Sequence, residues 1–267
     1  MSTRGTLTFL AKKSPPPVYQ ASVGGKNARL ELVGNYEQRL MHISDGRKMK
    51  ETFTLDHHGF QLLNHATTMK DFYDSNLRKI IYETECKKIV QTATGAEDTF
   101  VFDHTLRSGD EELRKQKLSR EPTTVIHNDY TPRSAKKRLQ DFMGSNAQKF
   151  IQKPFAIVNL WRPIKKIESF PIAVCDANSV SPKNLIRAER RAKDRIGEIF
   201  VAHFNPKQRW VYFPDMSPEE VLLIKTYDSR EDGRARWCIH TAVDIENTPE
   251  SAAPRESIES RIFAFGV

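Results

Sequence analysis

Four short runs follow one another between residues 198 and 243: EIFVAHF (198–204), RWVYF (209–213), VLLIKTY (221–227) and RWCIHTAV (236–243). Each is rich in β-branched and aromatic residues and gives way to turn formers, the composition of strands closed by turns. The same texture recurs upstream in DTFVFDH (98–104), TTVIHND (123–129), FAIVNLW (155–161) and at 171–175, and downstream in SIESRIFAF (257–265). Seven to nine strands with regular breaks predict a mainly β fold with flanking helices (α+β), a barrel or jelly roll of the cupin-like kind. Turns or helices are expected between them, notably at 131–143 and 181–193. The spacing is too irregular for a doubly wound α/β sheet, and no GxGxxG or Walker pattern is present.

Ahead of residue 97 the pattern differs. Apolar patches at 7–10 and 28–33 predict edge strands and loops. Beyond them a helix capped by Asp56 is expected, because Phe60, Leu63, His65, Met69, Phe72, Leu77, Ile80 and Ile81 recur at roughly helical spacing up to 86–93. The 267 residues suffice for one large domain with a sizeable core. The chain is therefore read as a single domain. Residues 1–96 supply strands and helices that pack on a β core spanning 97–267.

No apolar run approaches the ~20 residues needed to cross a bilayer, and the N-terminus lacks the apolar segment of a secretory leader. A soluble, cytoplasmic protein without membrane contact is expected. Cys86, Cys175 and Cys238 are odd in number and far apart, which fits buried reduced thiols better than disulfides or a zinc ribbon. The net charge of +8 could attract nucleic acid. Its basic runs, 133–138 and 187–195, are short, and no aromatic-studded basic strand accompanies them, so nucleic-acid binding is not expected and both runs are read as solvated helix faces. A dianionic small substrate or co-substrate explains part of the excess. The sequence sets no oligomeric state and leaves a homodimer open.

There is no GxSxG elbow, and no cysteine has the local signature of a thiol nucleophile. Metal chemistry is better served. His127 and Asp129 stand two apart at the end of a β run, where residues i and i+2 face one way, so imidazole and carboxylate can grip one ion. Eight histidines and 34 acidic residues give about one such pair by chance, so the pair alone has little weight. Alone it reads as a strand-end histidine and a helix-capping aspartate. His240 adds to it, sitting inside an apolar strand where an imidazole needs a reason to be. A second imidazole would complete the two-histidine, one-carboxylate triad that leaves positions open on ferrous iron. Arg255 and Ser257, two apart at the start of the last run, can together hold a carboxylate. Arg261 shares their parity and is the rival clamp. This order of motifs is the one an iron/2-oxoglutarate oxygenase requires.

At this point longer blocks become informative: HNDYTPRSAKKRL (127–139), VNLWRP (158–163), YFPDMSPEEVLLIKTYDS (212–229) and the stretch from His240 to Phe265, with DHHGF (56–60) and FDHTLR (102–107). They resemble the AsaB-type hydroxylase/desaturase family, which includes the cephamycin methoxylase subunit and a fungal meroterpenoid endoperoxidase. The resemblance covers roughly residues 50–267. It implies a double-stranded β-helix and a mononuclear Fe(II), 2-oxoglutarate-dependent dioxygenase that uses O2 to oxidise a small molecule, often in specialised metabolism. By motif, His127, Asp129 and His240 match the iron ligands, and Arg255 and Ser257 the clamp on the co-substrate carboxylate. Asn159, Trp161 and Arg162 fall in the family's Asn-x-Trp-Arg strand, with Asn159 expected beside the co-substrate. Tyr130, Trp161, Arg162, Trp210, Tyr212 and Cys238 are candidates for lining the substrate pocket, although core packing explains each aromatic equally well. The reaction outcome, hydroxylation, desaturation or ring closure, is left to pocket geometry. Two other readings stay in play: a cupin-like metalloenzyme that does not use 2-oxoglutarate, and a non-catalytic basic β-domain that binds anionic ligands.

Overall fold

The computed structural model describes residues 2–22, 24–25, 31–49, 52–192 and 195–267. Its strands, numbered in chain order, form two sheets. The larger runs β15 (Asp244–Ile245), β1 (Ser2–Leu10), β4 (Tyr36–Asp45), β12 (Trp210–Tyr212), β9 (Ile172–Cys175), β14 (His240–Ala242), β7 (His127–Asn128), β11 (Arg195–Ala202), β10 (Leu185–Ala192), β2 (Val18–Gln20), β3 (Glu31–Val33). The smaller runs β5 (Phe60–Asn64), β13 (Glu220–Asp228), β8 (Phe155–Pro163), β16 (Glu256–Phe265), β6 (Asp98–Ser108). From β6 onward the chain crosses back and forth between the sheets, the winding of a jelly roll built as a double-stranded β-helix.

The middle of the smaller sheet explains its sequence. Strands β8, β13 and β16 are buried at every position; β8 and β13 hold long apolar runs, whereas β16 also buries Glu256, Ser257, Glu259, Ser260 and Arg261. Their inner face meets the larger sheet. Their outer face is covered by a helical segment made of α1 (Ser75–Leu77), a π-helical turn (Arg78–Tyr82) and α2 (Glu83–Thr94). Cys86, Ile89 and Val90, on one side of α2, pack against Val158, Leu160, Ile258 and Ile262. Two further helices, α3 (Glu111–Lys117) and α4 (Pro132–Met143), follow β6 and β7, and α5 (Ala147–Ile151) precedes β8. Helix α4 starts three residues after Asp129. Its capping box is reciprocal: the Ser134 amide donates to Thr131 Oγ1 and the Thr131 amide to Ser134 Oγ.

Several expectations are corrected. No helix starts at Asp56. Gly59 turns the chain at φ +85°, and residues 60–64 form β5 against β13, because that pairing satisfies the backbone while Phe60 joins the core. The helix begins instead at Ser75, capped by Asp74. Strand β1, which holds the patch 7–10, is not an edge, since it pairs along its length with β4 and has a second partner in β15, whereas β3, at the end of the patch 28–33, does lie at the sheet edge. The segment 181–193 is neither turn nor helix beyond residue 184, since β10 pairs with β11 over eight positions. The run 133–138 lies on α4, but 187–192 lies on β10 and Arg195 opens β11, so neither of these two is a helix face. Parts of three expected segments, residues 28–30 and 193–194, lie outside the described residues.

Candidate metal centre and substrate cleft

Strands β7 and β14 are antiparallel neighbours in which His127 stands directly opposite His240. The two rings sit 4.6 Å apart, centroid to centroid. Each Nδ1 donates to the carbonyl two residues earlier, His127 to Val125 at 2.8 Å and His240 to Cys238 at 3.0 Å. These bonds fix the tautomer, so both Nε2 atoms carry a free lone pair. Between His127 and the next inward position, Asn128 anchors the chain by donating to Tyr130 O and Thr226 O. Asp129 thereby turns toward the imidazoles. Its Oδ2 accepts from Asn159 Nδ2 (2.7 Å) and Arg261 Nε (2.8 Å), while Oδ1 lies 3.7 Å from His127 Nε2.

Donor atoms of His127, Asp129 and His240 lie within 4.8 Å of one another, near the ~4 Å width of a coordination sphere with ~2.1 Å bonds. His240 Nε2 is buried with no hydrogen-bond partner among the described residues. A buried nitrogen left unpaired is costly unless something else takes its lone pair. One free carboxylate oxygen beside two imidazole nitrogens suits a borderline cation such as ferrous iron. The electrostatics favour a cation as well. Burial, with the neighbouring His240, pushes the His127 imidazole down to about 3. Burial alone would raise the Asp129 carboxyl, but Arg261 and the two imidazoles hold it well below the usual carboxylate range. His127 is therefore a neutral imidazole and Asp129 a carboxylate, forms that can bind a metal without first losing protons. His104 and His203 stand elsewhere, bonded to Ser260 Oγ and Leu10 O.

The two candidate clamps differ in what they already hold. Arg261 pairs with Asp129, Asp103 and Glu259 and donates to Thr105. Arg255 is 3% exposed, lies over the Trp161 ring at 4.9 Å, and donates to Ser257 Oγ and Phe170 O. Among the described residues no carboxylate is in ion-pair contact with it.

The remaining expected residues fall into separate places. Tyr130 lines a cleft of about 410 Å³ that opens beside Asp129 and Arg261. Trp161 and Cys238 share one core cluster between the sheets. Trp210 and Tyr212 belong to another, with Trp210 edge-on to Phe9. Arg162 is fully buried and bonded to His65 O, Pro218 O and His65 Nδ1, with Tyr82 of the outer helical layer under its guanidinium. The three cysteines are free and buried, and burial pushes the Cys86 and Cys175 thiols up to about 12.

Sequence reasoning found Arg261 but missed three other cations around the centre. Arg107 and Arg120, with Arg190 and Arg261, line a small recess that His127 and Asp129 share. A signal did exist. Asp103, Thr105 and Arg107 alternate along β6 and so share one face of the strand.

The oxidoreductase/YMDC permease-like domain family matches residues 7–265. The hydroxylase/desaturase efuI of Hormonema carpetanum is 30% identical over 252 residues, covering 86% of this chain and 84% of that protein. The hydroxylase/desaturase asaB of Aspergillus flavus is 30% identical over 254 residues, covering 88% and 86%. In fold, the iron and alpha-ketoglutarate-dependent endoperoxidase NvfI superposes with a TM-score of 0.85 at 23% identity, over 99% of this chain and 98% of that one. Jelly roll and converging donors together define a non-haem metal oxygenase. The chain belongs to the hydroxylase/desaturase family of Fe(II)/2-oxoglutarate-dependent oxygenases.

Proposed function

We propose that His127 Nε2, Asp129 Oδ1 and His240 Nε2 hold ferrous iron, and that the enzyme oxidises an unactivated C–H bond of a small molecule in specialised metabolism. The observation that carries this assignment is the buried, unpartnered Nε2 of His240 facing a carboxylate whose other oxygen is already bonded. Iron bound there with 2-oxoglutarate and O2 supplies the oxidising power, the keto acid leaving as succinate and CO2.

The chain's own residues do the rest. Asn159 and Arg261 fix the Asp129 carboxylate so that one oxygen stays available. Arg255 and Ser257 take the far carboxylate of 2-oxoglutarate, a role favoured by the absence of any carboxylate already in contact with Arg255 among the described residues. Arg261 is less suited because three acids occupy it. The buried walls of β8, β13 and β16 keep bulk water from the reacting carbon. Tyr130 faces the substrate from the cleft. In this reading residues 1–267 work as one oxygenase unit, with β1, β4 and β5 extending the two sheets. The setting is cytoplasmic, consistent with the absence of any long apolar helix among the described residues, and neither nucleic acid nor membrane is a partner.

Anaerobic addition of Fe(II) and 2-oxoglutarate tests the assignment. A weak visible charge-transfer band is expected in the parent protein. It should vanish in Asp129→Ala and weaken in Arg255→Ala. A folded, iron-loaded protein without the band would defeat the assignment, and turnover without succinate would favour a metalloenzyme independent of 2-oxoglutarate.

A further inference from the structure

The cleft beside Asp129 is walled by α4 on one side and the β10–β11 hairpin on the other. Arg133, Lys137 and Arg138 project from the helix, and Arg187, Arg190 and Arg195 from the hairpin. Acidic residues line it as well, but each is engaged. Asp103 and Asp129 pair with Arg261, Asp141 with Lys137, and Glu189 with Arg191, while Glu198 accepts from Thr131 Oγ1. Among the described residues Arg133, Arg138, Arg187, Arg190 and Arg195 have no carboxylate in ion-pair contact. Three of these, Arg138, Arg190 and Arg195, are half-buried. Arg138 lies over Phe102 and Phe142, and its Nε is buried without a hydrogen-bond partner. Burial, then Arg138 and Arg190, push the Arg195 guanidinium below its ordinary range, so the three charges bear on one another. Cations gathered this way around a cavity create a positive potential that an anion relieves. The cleft also has an apolar side in Tyr130, Ala188 and Ile196.

We propose that the substrate carries a carboxylate or phosphate group that seats on Arg138, Arg190 and Arg195, while its apolar body extends past Tyr130 toward Asp129. The inference rests on the reading of His127, Asp129 and His240 as the iron site. That reading sets where the oxidised carbon lies, and the arginines set which molecules reach it. Two guanidiniums on one anion form charge-assisted bonds that a neutral analogue cannot make. The hairpin arginines would thus select substrates by charge before any chemistry begins.

Calorimetric titration of the Fe(II)- and 2-oxoglutarate-loaded enzyme under nitrogen tests the proposal, with octanoate, octyl phosphate and octanol as probes. At least one anion should bind about tenfold or more tightly than octanol, as expected for a hydrogen bond to a charged group. Arg138→Gln and Arg195→Gln should each erase most of that advantage, leaving octanol binding and the charge-transfer band unchanged. Equal binding of all three probes, or anion binding indifferent to both substitutions, would overturn it. So would displacement of the anions by excess 2-oxoglutarate, because the arginines would then form the co-substrate's seat. Failure of the band in the parent protein would strike the iron assignment instead, and anion discrimination would still stand.

Discussion

Arg255 is held inside the barrel with no carboxylate in ion-pair contact among the described residues, and the consequence is measurable. Burial, with Arg107 nearby, lowers its guanidinium to about 9. The folded protein therefore binds that proton less tightly than the unfolded chain does. The unfolded state carries more protons between about pH 9 and the ordinary arginine range, so stability rises with pH through that window, and at neutral pH the buried charge is a full cost. Removing it should help the resting protein, since replacing buried charges by apolar side chains is often stabilising by roughly 1–4 kcal/mol. Arg255→Met is expected to raise the melting temperature without ligands, while stabilisation by added 2-oxoglutarate disappears; differential scanning calorimetry with and without the keto acid reads both. A lower melting temperature would show that the bonds to Ser257 and Phe170 outweigh the charge. The parity of His127 with Asp129 and the oddness of His240 in an apolar strand were legible in the chain. The recess cations Arg107, Arg120 and Arg190 were not, because they come from three separate segments and meet only after the sheets close.

The Asp129 carboxylate is positioned partly by the start of α4, just C-terminal to it. Thr131 is fully buried, caps α4 and donates to Glu198, tying the helix to β11. Thr131→Ala should cost about 1–2 kcal/mol as a lost cap, and for a chain of this length the melting temperature should fall by about 2–8 °C. Affinity for a divalent metal should weaken with it, because the turn from His127 into α4 loosens; Mn(II) titration followed by paramagnetic line broadening checks this. Other elements show where a one-dimensional pattern suffices. The runs that became β8 and β13 were legible because burial on both faces leaves them largely apolar. Strand β5 was misread because Phe60 and Leu63, three apart, suit a helix turn as well as a strand, and only pairing with β13 decides. Strand β10 was misread because LIRAERRA has the composition of a helix and gains its extended form from β11.

Across the whole molecule, ligand binding and folding are one equilibrium. The proposed donors His127 and His240 stand on β7 and β14, far apart in sequence yet opposite each other in the larger sheet. An ion that binds only the folded form at a hundred times its dissociation constant adds about 2.7 kcal/mol. One cooperative unfolding transition is expected for the full chain, moving up by about 5 °C or more with saturating Mn(II) and staying fixed in His240→Ala. Two separate transitions would mean that the N-terminal strands fold apart from the rest. With the proposed assignment, the face-to-face arrangement of His127 and His240 would make the ion a removable cross-link across the sheet. When iron is scarce, the same shortage that halts turnover should also shorten the enzyme's lifetime against proteases, so that nutrient supply sets how much of it persists as well as how fast it works.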